Sequence, residues 1–284
     1  MNTRKVIVGI GEILWDVFPT GKALGGAPAN FAYHASRLGA EGWAISAIGQ
    51  DELGREIQDV VRQKNLRNLI AVTDKPTGTV QVTLDGNGVP SYDITRDVAW
   101  DNIPFTQEMK DLAAVTTAVC FGSLMQRNII SRTTAMEFIK AMPEDSLKVF
   151  DINLRQDYYS KELIADSMQI ADILKINDEE IRIVADLFGI EGSDEDACRR
   201  LITDFNLKLV ILTKGADGSE VVTSDEVIVQ KVGKVDVVDT VGAGDSFTAA
   251  FIVSYLNGES FEEAQRKASE TAAYVCAHKG AMPE

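Results

Sequence analysis

The chain has 284 residues, and its 43 Asp and Glu against 28 Lys and Arg give a formal net charge of −15. This length allows one large domain or two small ones, and the negative charge disfavours binding to nucleic acid or to an anionic membrane through a basic surface. The three cysteines form no C-x-x-C pair and only two histidines are present, which excludes a thiolate or multi-histidine metal centre.

Short β-branched runs alternate with amphipathic segments at the start of the chain. Residues 5–10 and 42–48 are predicted strands, and residues 28–38 a helix with Pro28 at a first helical position. The next helix is predicted to begin at Asp51, as its cap, and to run to Gln63. The apolar run at 6–11 is too short for a signal peptide or a membrane span, so we expect a cytoplasmic protein.

The pattern changes between residues 69 and 100, where no helix fits. Residues 69–73, 79–84 and 91–95 are predicted strands, with turn residues at 75–78 and 85–88 between them. The sequence therefore predicts a small antiparallel sheet inserted into the chain, to which residues 12–24 also contribute.

After residue 101 the alternation of strands and helices returns. Strands are predicted at 117–121, 147–153, 173–176 and 208–213, helices at 177–188 and 193–205, and a hairpin at 219–222 and 227–231. A strand-like run at 235–238 precedes two closing helices at 242–256 and 259–278. The whole pattern predicts one α/β domain over residues 1–284. Its sheet is mainly parallel and doubly wound, Rossmann-like, with helices on both faces, and the small sheet is an addition to it.

The strongest chemical signal is the run D-T-V-G-A-G-D-S at 239–246, which opens an apolar helix. Gly242, Ala243 and Gly244 place free N–H groups at a helix N-terminus, where an anion such as a phosphate is stabilised. Asp245 follows in the first turn, and a carboxylate beside an anion site is expected to act as a base on an attacking hydroxyl. The alternative is a glycine-rich turn with an acidic helix start.

Together with the run L-G-G-A-P-A-N at 24–30, this motif resembles the two signatures of the ribokinase-like (PfkB-type) carbohydrate kinases. Further landmarks of the resemblance lie at 48–54, 151–155, 177–180 and 213–215. The resemblance implies a ribokinase-like fold and transfer of a phosphoryl group from MgATP to a sugar hydroxyl.

Residues 11–19, 25–32, 92–101 and 121–124 look most like bacterial fructokinases, which implies fructose as the acceptor, with O6 as the reacting oxygen. A 2-keto-3-deoxygluconate kinase is the second interpretation, and a ribokinase or nucleoside kinase the third. A sugar- or nucleotide-sensing module without activity is the alternative from another class. The intact Asp245 argues against such a module, because a sensor needs no base beside a phosphate.

The expected sugar contacts are predicted from the chemistry of the residues and from the resemblance to the kinase family. Two glycines bring the backbone close to a ligand, and an amide offers both a donor and an acceptor to hydroxyls. The predicted set is Asp16, Gly25, Gly26, Asn30, Arg96, Asn153 and Arg155. A glycine hinge, polar strand ends and a surface arginine are the structural alternatives.

For the nucleotide, the resemblance implies contacts from Asn177, Thr213, Lys214, Gly215, Gly242, Gly244 and His278. It also implies that Glu180 helps to hold Mg²⁺ through water molecules, and it suggests a monovalent cation, K⁺, at Asp239. Capping of a helix by Asn177 with an acidic first turn is the structural alternative for residues 177–180.

The inserted strands carry apolar residues that mostly alternate with polar neighbours: Ile13, Trp15, Val17, Val80, Val82, Leu84, Tyr92 and Ile94. One apolar face of a small sheet is therefore predicted. We expect residues 12–24 and 69–100 to form a lid over the sugar, and the same lid to form a homodimer interface.

Overall fold

The computed structural model describes residues 5–84, 90–233 and 235–284. Most strands belong to one sheet, in the order β13-β12-β11-β10-β9-β8-β1-β4-β5. These strands are β1 Val6–Ile10, β4 Glu41–Gly49, β5 Arg67–Thr73, β8 Ala118–Phe121, β9 Leu147–Asp151, β10 Ile173–Asn177, β11 Leu209–Thr213, β12 Ser219–Val222 and β13 Val227–Gln230. The pairs from β11 to β5 are parallel, and β12 is antiparallel to both of its neighbours, β11 and β13. This confirms the predicted, mainly parallel α/β sheet.

Helices cover both faces of this sheet. They are α1 Ala27–Arg37, α2 Glu52–Gln63, α3 Gln107–Ala113, α4 Ile129–Ala141, α5 Lys161–Ile170, α6 Asp178–Phe188, α7 Asp194–Phe205, α8 Ala243–Leu256 and α9 Phe261–Cys276. The cap predicted at Asp51 is confirmed, because its side chain accepts a hydrogen bond from the Gly54 amide. At the start of α7, Ser193 and Asp196 form a capping box. The core divides into one cluster on each side of the sheet, as a doubly wound fold requires.

The strand at residues 67–73 lies in a different sheet from the one predicted. It pairs in parallel with β4, with Trp43 opposite Arg67 and Gly49 opposite Thr73, so it forms an edge of the large sheet. The prediction that it belongs to the inserted sheet was wrong. A short β-branched run indicates a strand, but its partner depends on long-range packing that the run does not encode.

The small sheet contains β2 Leu14–Phe18, β3 Gly21–Gly25, β6 Gly78–Leu84 and β7 Pro90–Ile94, in the order β3-β2-β6-β7. Strands β2 and β6 are parallel, so the sheet is mixed rather than antiparallel. The turn predicted at residues 85–88 lies outside the described residues.

The small sheet has two apolar faces instead of the single one that was predicted. Residue Asp16 lies opposite Val80 and Trp15 opposite Thr79, so Trp15 points to the other side of the sheet from Val80. Ile13, Trp15 and Val17 pack with α1 and α2 in one cluster. Leu14, Val80, Val82 and Ile94 pack with Trp100 and Leu124 in another. The side chains of Leu84 and Tyr92 lie outside the described part of the structure.

Residues 235–238 are irregular, and the strand predicted there was also wrong. Val237 and Val238 are 61% and 57% exposed, and the Val238 amide donates to the carbonyl of Cys276 at the end of α9. A β-branched run without a neighbouring strand cannot form a ladder. In the described ranges, none of the helices has the length and apolar character needed to cross a membrane.

Candidate active site

The N-terminus of α8 is the centre of the candidate site. Gly242 caps this helix with a φ of 80°, and a β-carbon there would lie 2.5 Å from the side chain of Ala281. The cap residue makes no side-chain hydrogen bond to the helix, so N–H groups of the first turn are available to an anion. The amide of Ala243 is an exception, because it already donates to the carbonyl of Thr240 at 3.2 Å.

Asp245 lies in the first turn of α8 with its side chain partly buried. Burial raises its pKa to about 6, and the negative charge of Asp151 adds to the rise, whereas Asn30, Lys175 and Arg155 lower it. Asn30 donates a hydrogen bond from Nδ2 to Oδ2 of Asp245 at 2.8 Å. The two sequence signatures, far apart in the chain, thus meet through their most specific polar side chains.

A narrow cavity adjoins Asp245. Its walls are formed by Glu12, Ala27, Pro28, Phe31, Cys120, Phe121, Gly122, Leu124, Asp151, Asn153 and Asp245. Its volume of about 10 Å³ is the room that one water molecule or one hydroxyl group needs. We call it the acceptor cavity.

Three predicted sugar residues, Asp16, Gly25 and Gly26, lie outside this cavity wall and pack close to one another or to Glu12. A β-carbon on Gly25 would lie 2.5 Å from Oδ2 of Asp16, and one on Gly26, whose φ is 119°, would lie 2.4 Å from the carbonyl oxygen of Glu12. Only glycine fits the positive φ and the close backbone contact at position 26. Burial raises the pKa of Asp16 to about 6, and the nearby charge of Arg155 lowers it in part.

A second cavity lies on the other side of the α8 N-terminus, with a volume of about 950 Å³. Predicted nucleotide residues among its walls are Asn177, Thr213, Gly215 and Gly244, joined by others such as Lys175, Asp178, Thr240 and Phe247. This volume suits a small-molecule ligand. We call it the nucleotide cavity. It includes Gly244 whereas the acceptor cavity includes Asp245, so consecutive residues of one helix face the two cavities.

Several predicted residues lie away from both cavities. Lys214 pairs with Glu220 at 2.5 Å, and His278 packs its ring against Tyr274 with the centroids 4.2 Å apart. Arg96 is exposed and donates from Nε to the hydroxyl of Tyr158 at 2.9 Å. None of the three is part of either cavity wall.

Arg155 is likewise exposed and belongs to neither wall, but its charge reaches the site. It lowers the pKa values of Glu12, Asp16 and Asp245.

The two predicted metal residues already have partners on both carboxylate oxygens. Glu180 accepts from the amides of Leu154 at 2.8 Å and Asn177 at 3.0 Å, and with Asn177 it forms the capping box of α6. Asp239 accepts from the amides of Val241 at 3.0 Å and Gly280 at 2.9 Å. The part of the chain that the structure describes brings no three His, Cys, Asp or Glu side chains together as a group that could hold a metal ion.

Sequence reasoning missed Lys175, which lies between the two cavities. Its Nζ is 3.1 Å from Oδ1 of Asp151, and both side chains are buried. A β-carbon on Gly244 would lie 3.2 Å from the same Nζ. Burial lowers the pKa of Lys175, but the charges of Asp151, Glu180 and Asp245 outweigh it and raise the pKa, so the group stays positive. A lysine within the apolar strand β10 was the available signal.

Comparisons with known proteins agree with this arrangement. The profile of the pfkB family carbohydrate kinases matches residues 11–284. The chain therefore belongs to the PfkB family of carbohydrate kinases, and its two sheets form the ribokinase-like α/β fold.

Individual relatives include enzymes for different acceptors. The uncharacterized sugar kinase PH1459 from Pyrococcus horikoshii is 31% identical over 88% of this chain and 83% of the relative, and its structure in complex with ATP has a TM-score of 0.82, covering 97% and 94% of the two chains. Probable fructokinase-7 from Arabidopsis thaliana is 29% identical over 99% of this chain and 90% of its own. The aminoimidazole riboside kinase from Salmonella enterica, solved with aminoimidazole riboside and an ATP analog, is 25% identical with a TM-score of 0.80, covering 98% and 95%.

Proposed function

We propose that this carbohydrate kinase transfers the γ-phosphoryl group of MgATP to fructose, at O6. The observation that supports the proposal most is the placement of Gly244 and Asp245 at the wall between the two cavities. A base and an anion site on consecutive residues bring an attacking hydroxyl and a phosphate into line, which is what phosphoryl transfer requires.

In the proposed reaction, the sugar hydroxyl oxygen attacks the γ-phosphorus and the bond to the β,γ-bridging oxygen breaks, so that ADP leaves. Asp245 takes the hydroxyl proton, and its pKa of about 6 leaves it largely ionised at neutral pH. Free amides at Gly242 and Gly244 and the positive charge of Lys175 stabilise the transferring group. Lys175 is held by Asp151, whose Oδ2 accepts from the hydroxyl of Thr248 at 3.0 Å.

On the acceptor side, Asp16, Gly25, Gly26, Asn30 and Asn153 are the proposed sugar contacts. Asn153 has a φ of 41° and belongs to the cavity wall, and Asn30 retains a buried Oδ1 without a hydrogen-bond partner among the described residues. Arg96 and Arg155 are exposed and belong to neither cavity wall, so they would contact the sugar only from its solvent-exposed side. The likeness to Arabidopsis probable fructokinase-7 supports fructose among the hexoses.

Cations enter this proposal in a limited way. Phosphates and waters would supply most ligands of a Mg²⁺ bound with ATP, and its charge would reduce the repulsion between the phosphates and the attacking oxygen. A role for Glu180 through water, and a dependence on K⁺ at Asp239, stay predictions that the bonded carboxylates do not support. Rates measured in potassium against sodium buffer test the second.

A 2-keto-3-deoxygluconate kinase is the second candidate, because the exposed Arg155 guanidinium acts on the acidic groups of the acceptor side and suits a substrate carboxylate. A coupled assay of ADP release decides between the candidates. The panel is fructose, 2-keto-3-deoxygluconate, ribose and aminoimidazole riboside. The highest kcat/KM for fructose supports the proposal, and the highest value for another acceptor replaces it. Binding of a sugar without any turnover would indicate the sensing module.

The small sheet is also proposed to act as a lid and as the interface of a homodimer in the cytoplasm. Its edge strands β3 and β7 leave backbone groups free for pairing. However, its apolar side chains pack on the same chain in two clusters, which weakens the argument from an exposed apolar face. Light scattering of the purified protein tests the dimer, and a fully active monomer would remove it and leave the lid.

A further inference from the structure

Glu12 is a buried carboxylate that the mechanism above does not use. It lies between β1 and β2 with 4% of its surface exposed, and its Oε2 has no hydrogen-bond partner among the described residues. Leaving such an atom unpaired is unfavourable, so an unpaired buried oxygen in a cavity wall points to a ligand that pairs with it. Burial raises the pKa of Glu12 to about 7, and its own backbone amide opposes that rise.

The start of α1 lies close to this carboxylate. The amides of Glu12 itself and of Ala27 lower the pKa of Glu12, which offsets part of the effect of burial. Ala27 is the first residue of α1, whose cap, Gly26, provides no side-chain hydrogen bond. Glu12 thus lies beside a helix N-terminus that lacks a side-chain cap, and its Oε2 has no hydrogen-bond partner among the described residues.

Oε2 is also in the right place to meet a substrate. Glu12 and Asp245 belong to the wall of the same acceptor cavity, and the charge of Asp245 acts on Glu12. Asn30, which donates to Asp245, is 3% exposed and has a second unpaired oxygen, Oδ1. The group that reacts with Asp245 would thus lie close to residues that carry two unpaired oxygens, and a sugar hydroxyl can satisfy either of them.

We propose that Oε2 of Glu12 forms a hydrogen bond with one hydroxyl of the acceptor sugar, and that Glu12 thereby determines which sugars the site accepts. This inference rests on the proposed function, because it places a hydroxyl group of the acceptor sugar at the acceptor cavity. The competing explanation is that Glu12 serves only to cap α1. The two explanations differ in one measurable respect: a cap has no preference for any particular hydroxyl of the substrate.

The experiment combines Glu12→Gln with the monodeoxy analogues of the sugar that the wild type turns over fastest in the panel. The glutamine amide replaces a charge-assisted hydrogen bond by a weaker neutral one, which should raise the KM of the parent sugar about tenfold. The KM of ATP should stay within about twofold, since Glu12 is not in the nucleotide cavity wall. For one analogue only, wild type and variant should have similar KM values, because the partner hydroxyl is already gone.

Asp196→Asn is the matched control, since this carboxylate also caps a helix but belongs to neither cavity wall. It should lower the Tm without changing the sugar KM. An equal loss for the parent sugar and for every analogue in Glu12→Gln, with a lowered Tm, would show a cap alone and overturn the inference. If that variant does not fold, Glu12→Asp, which retains the charge but withdraws it by one methylene, gives the same comparison. A wild type without sugar turnover would instead overturn the proposed function itself.

Discussion

The two cavities meet at the N-terminus of α8, but their walls differ in amino-acid composition. The acceptor cavity is narrow, and three of its wall residues, Glu12, Asp151 and Asp245, carry carboxylates. The nucleotide cavity is large, and its wall is rich in glycine, alanine and valine, with Lys175 as its only lysine among the described residues. The first cavity therefore relies on individual side chains and the second mainly on backbone groups and shape.

This difference has a consequence for substitutions. Truncation of a side chain that binds a hydroxyl removes that hydrogen bond. A backbone N–H at a helix N-terminus is retained after almost any substitution nearby. Acceptor-side variants should therefore change sugar kinetics strongly and selectively. On the nucleotide side, only the side chain at the boundary, Lys175, should have a large effect.

The largest effect is expected for Asp245→Asn. The amide keeps the shape and the contact with Asn30 but cannot take a proton, so kcat should fall by about 10²–10⁴. Binding of ATP, measured by calorimetry, should change little, because Asp245 faces the acceptor cavity. Turnover near that of the wild type would show that another group is the base.

Asp16→Ala should raise the sugar KM by roughly tenfold to a hundredfold, because a hydroxyl of the bound sugar would lose its buried partner. The ATP KM should remain nearly constant. The measurement is a full two-substrate kinetic analysis, with Glu108→Ala, at an exposed helix position, as control. Equal increases in both KM values would place Asp16 away from the sugar.

Lys175→Met should lower kcat/KM for ATP by roughly tenfold to a hundredfold, since a charge-assisted contact to the phosphoryl group is lost. Asp151 would then be a buried carboxylate without its partner, so the Tm should fall as well. Lys214→Met is the matched control: its lysine pairs with Glu220 outside the cavity wall and should leave the kinetics unchanged. An unchanged kcat/KM in Lys175→Met would assign this lysine to stability alone.

Much of this site could be predicted from the sequence because its signals are local. The spacing of glycines at 242–244 around a helix start predicts an anion site, and Asp245 follows directly. The central strands are short, continuous apolar runs, which is typical of parallel strands buried on both faces. These features depend on neighbouring residues, so a single sequence contains them.

The features that sequence missed are long-range. Strand β5 could have joined either sheet, and the choice depends on β4. The side of the small sheet to which Trp15 points depends on the register of β2 against β6. A shift of that register by one residue would move every side chain of the strand to the opposite face. The oxygens of Glu180 are occupied in part by the amide of Leu154, in a different loop. A lone lysine in an apolar strand, such as Lys175, is a visible signal, but it does not identify the groups that the lysine meets in the fold.

The smallest expected effect is on the pH dependence of the free energy of unfolding, and it tests the burial of the acceptor-side carboxylates. The pKa of Glu12 is raised to about 7, and those of Asp16 and Asp245 to about 6. Their unfolded values are about 4, so the folded state binds these protons more tightly. The stability from this binding is fully present below about pH 4 and is lost as the pH rises through 6 to 7.

Other groups oppose this trend, for example Asp51, whose pKa is lowered by hydrogen bonds to Thr77 and Gly54 that outweigh its burial. Glu12→Gln isolates one contribution, because glutamine does not titrate and all other groups cancel in the difference. The Tm of the wild type minus that of the variant should be larger at about pH 5 than at about pH 8. Thermal unfolding followed by circular dichroism at the two pH values measures it. A difference that does not change with pH would mean that Glu12 has a similar pKa in the folded and unfolded chain, and that water reaches its carboxylate.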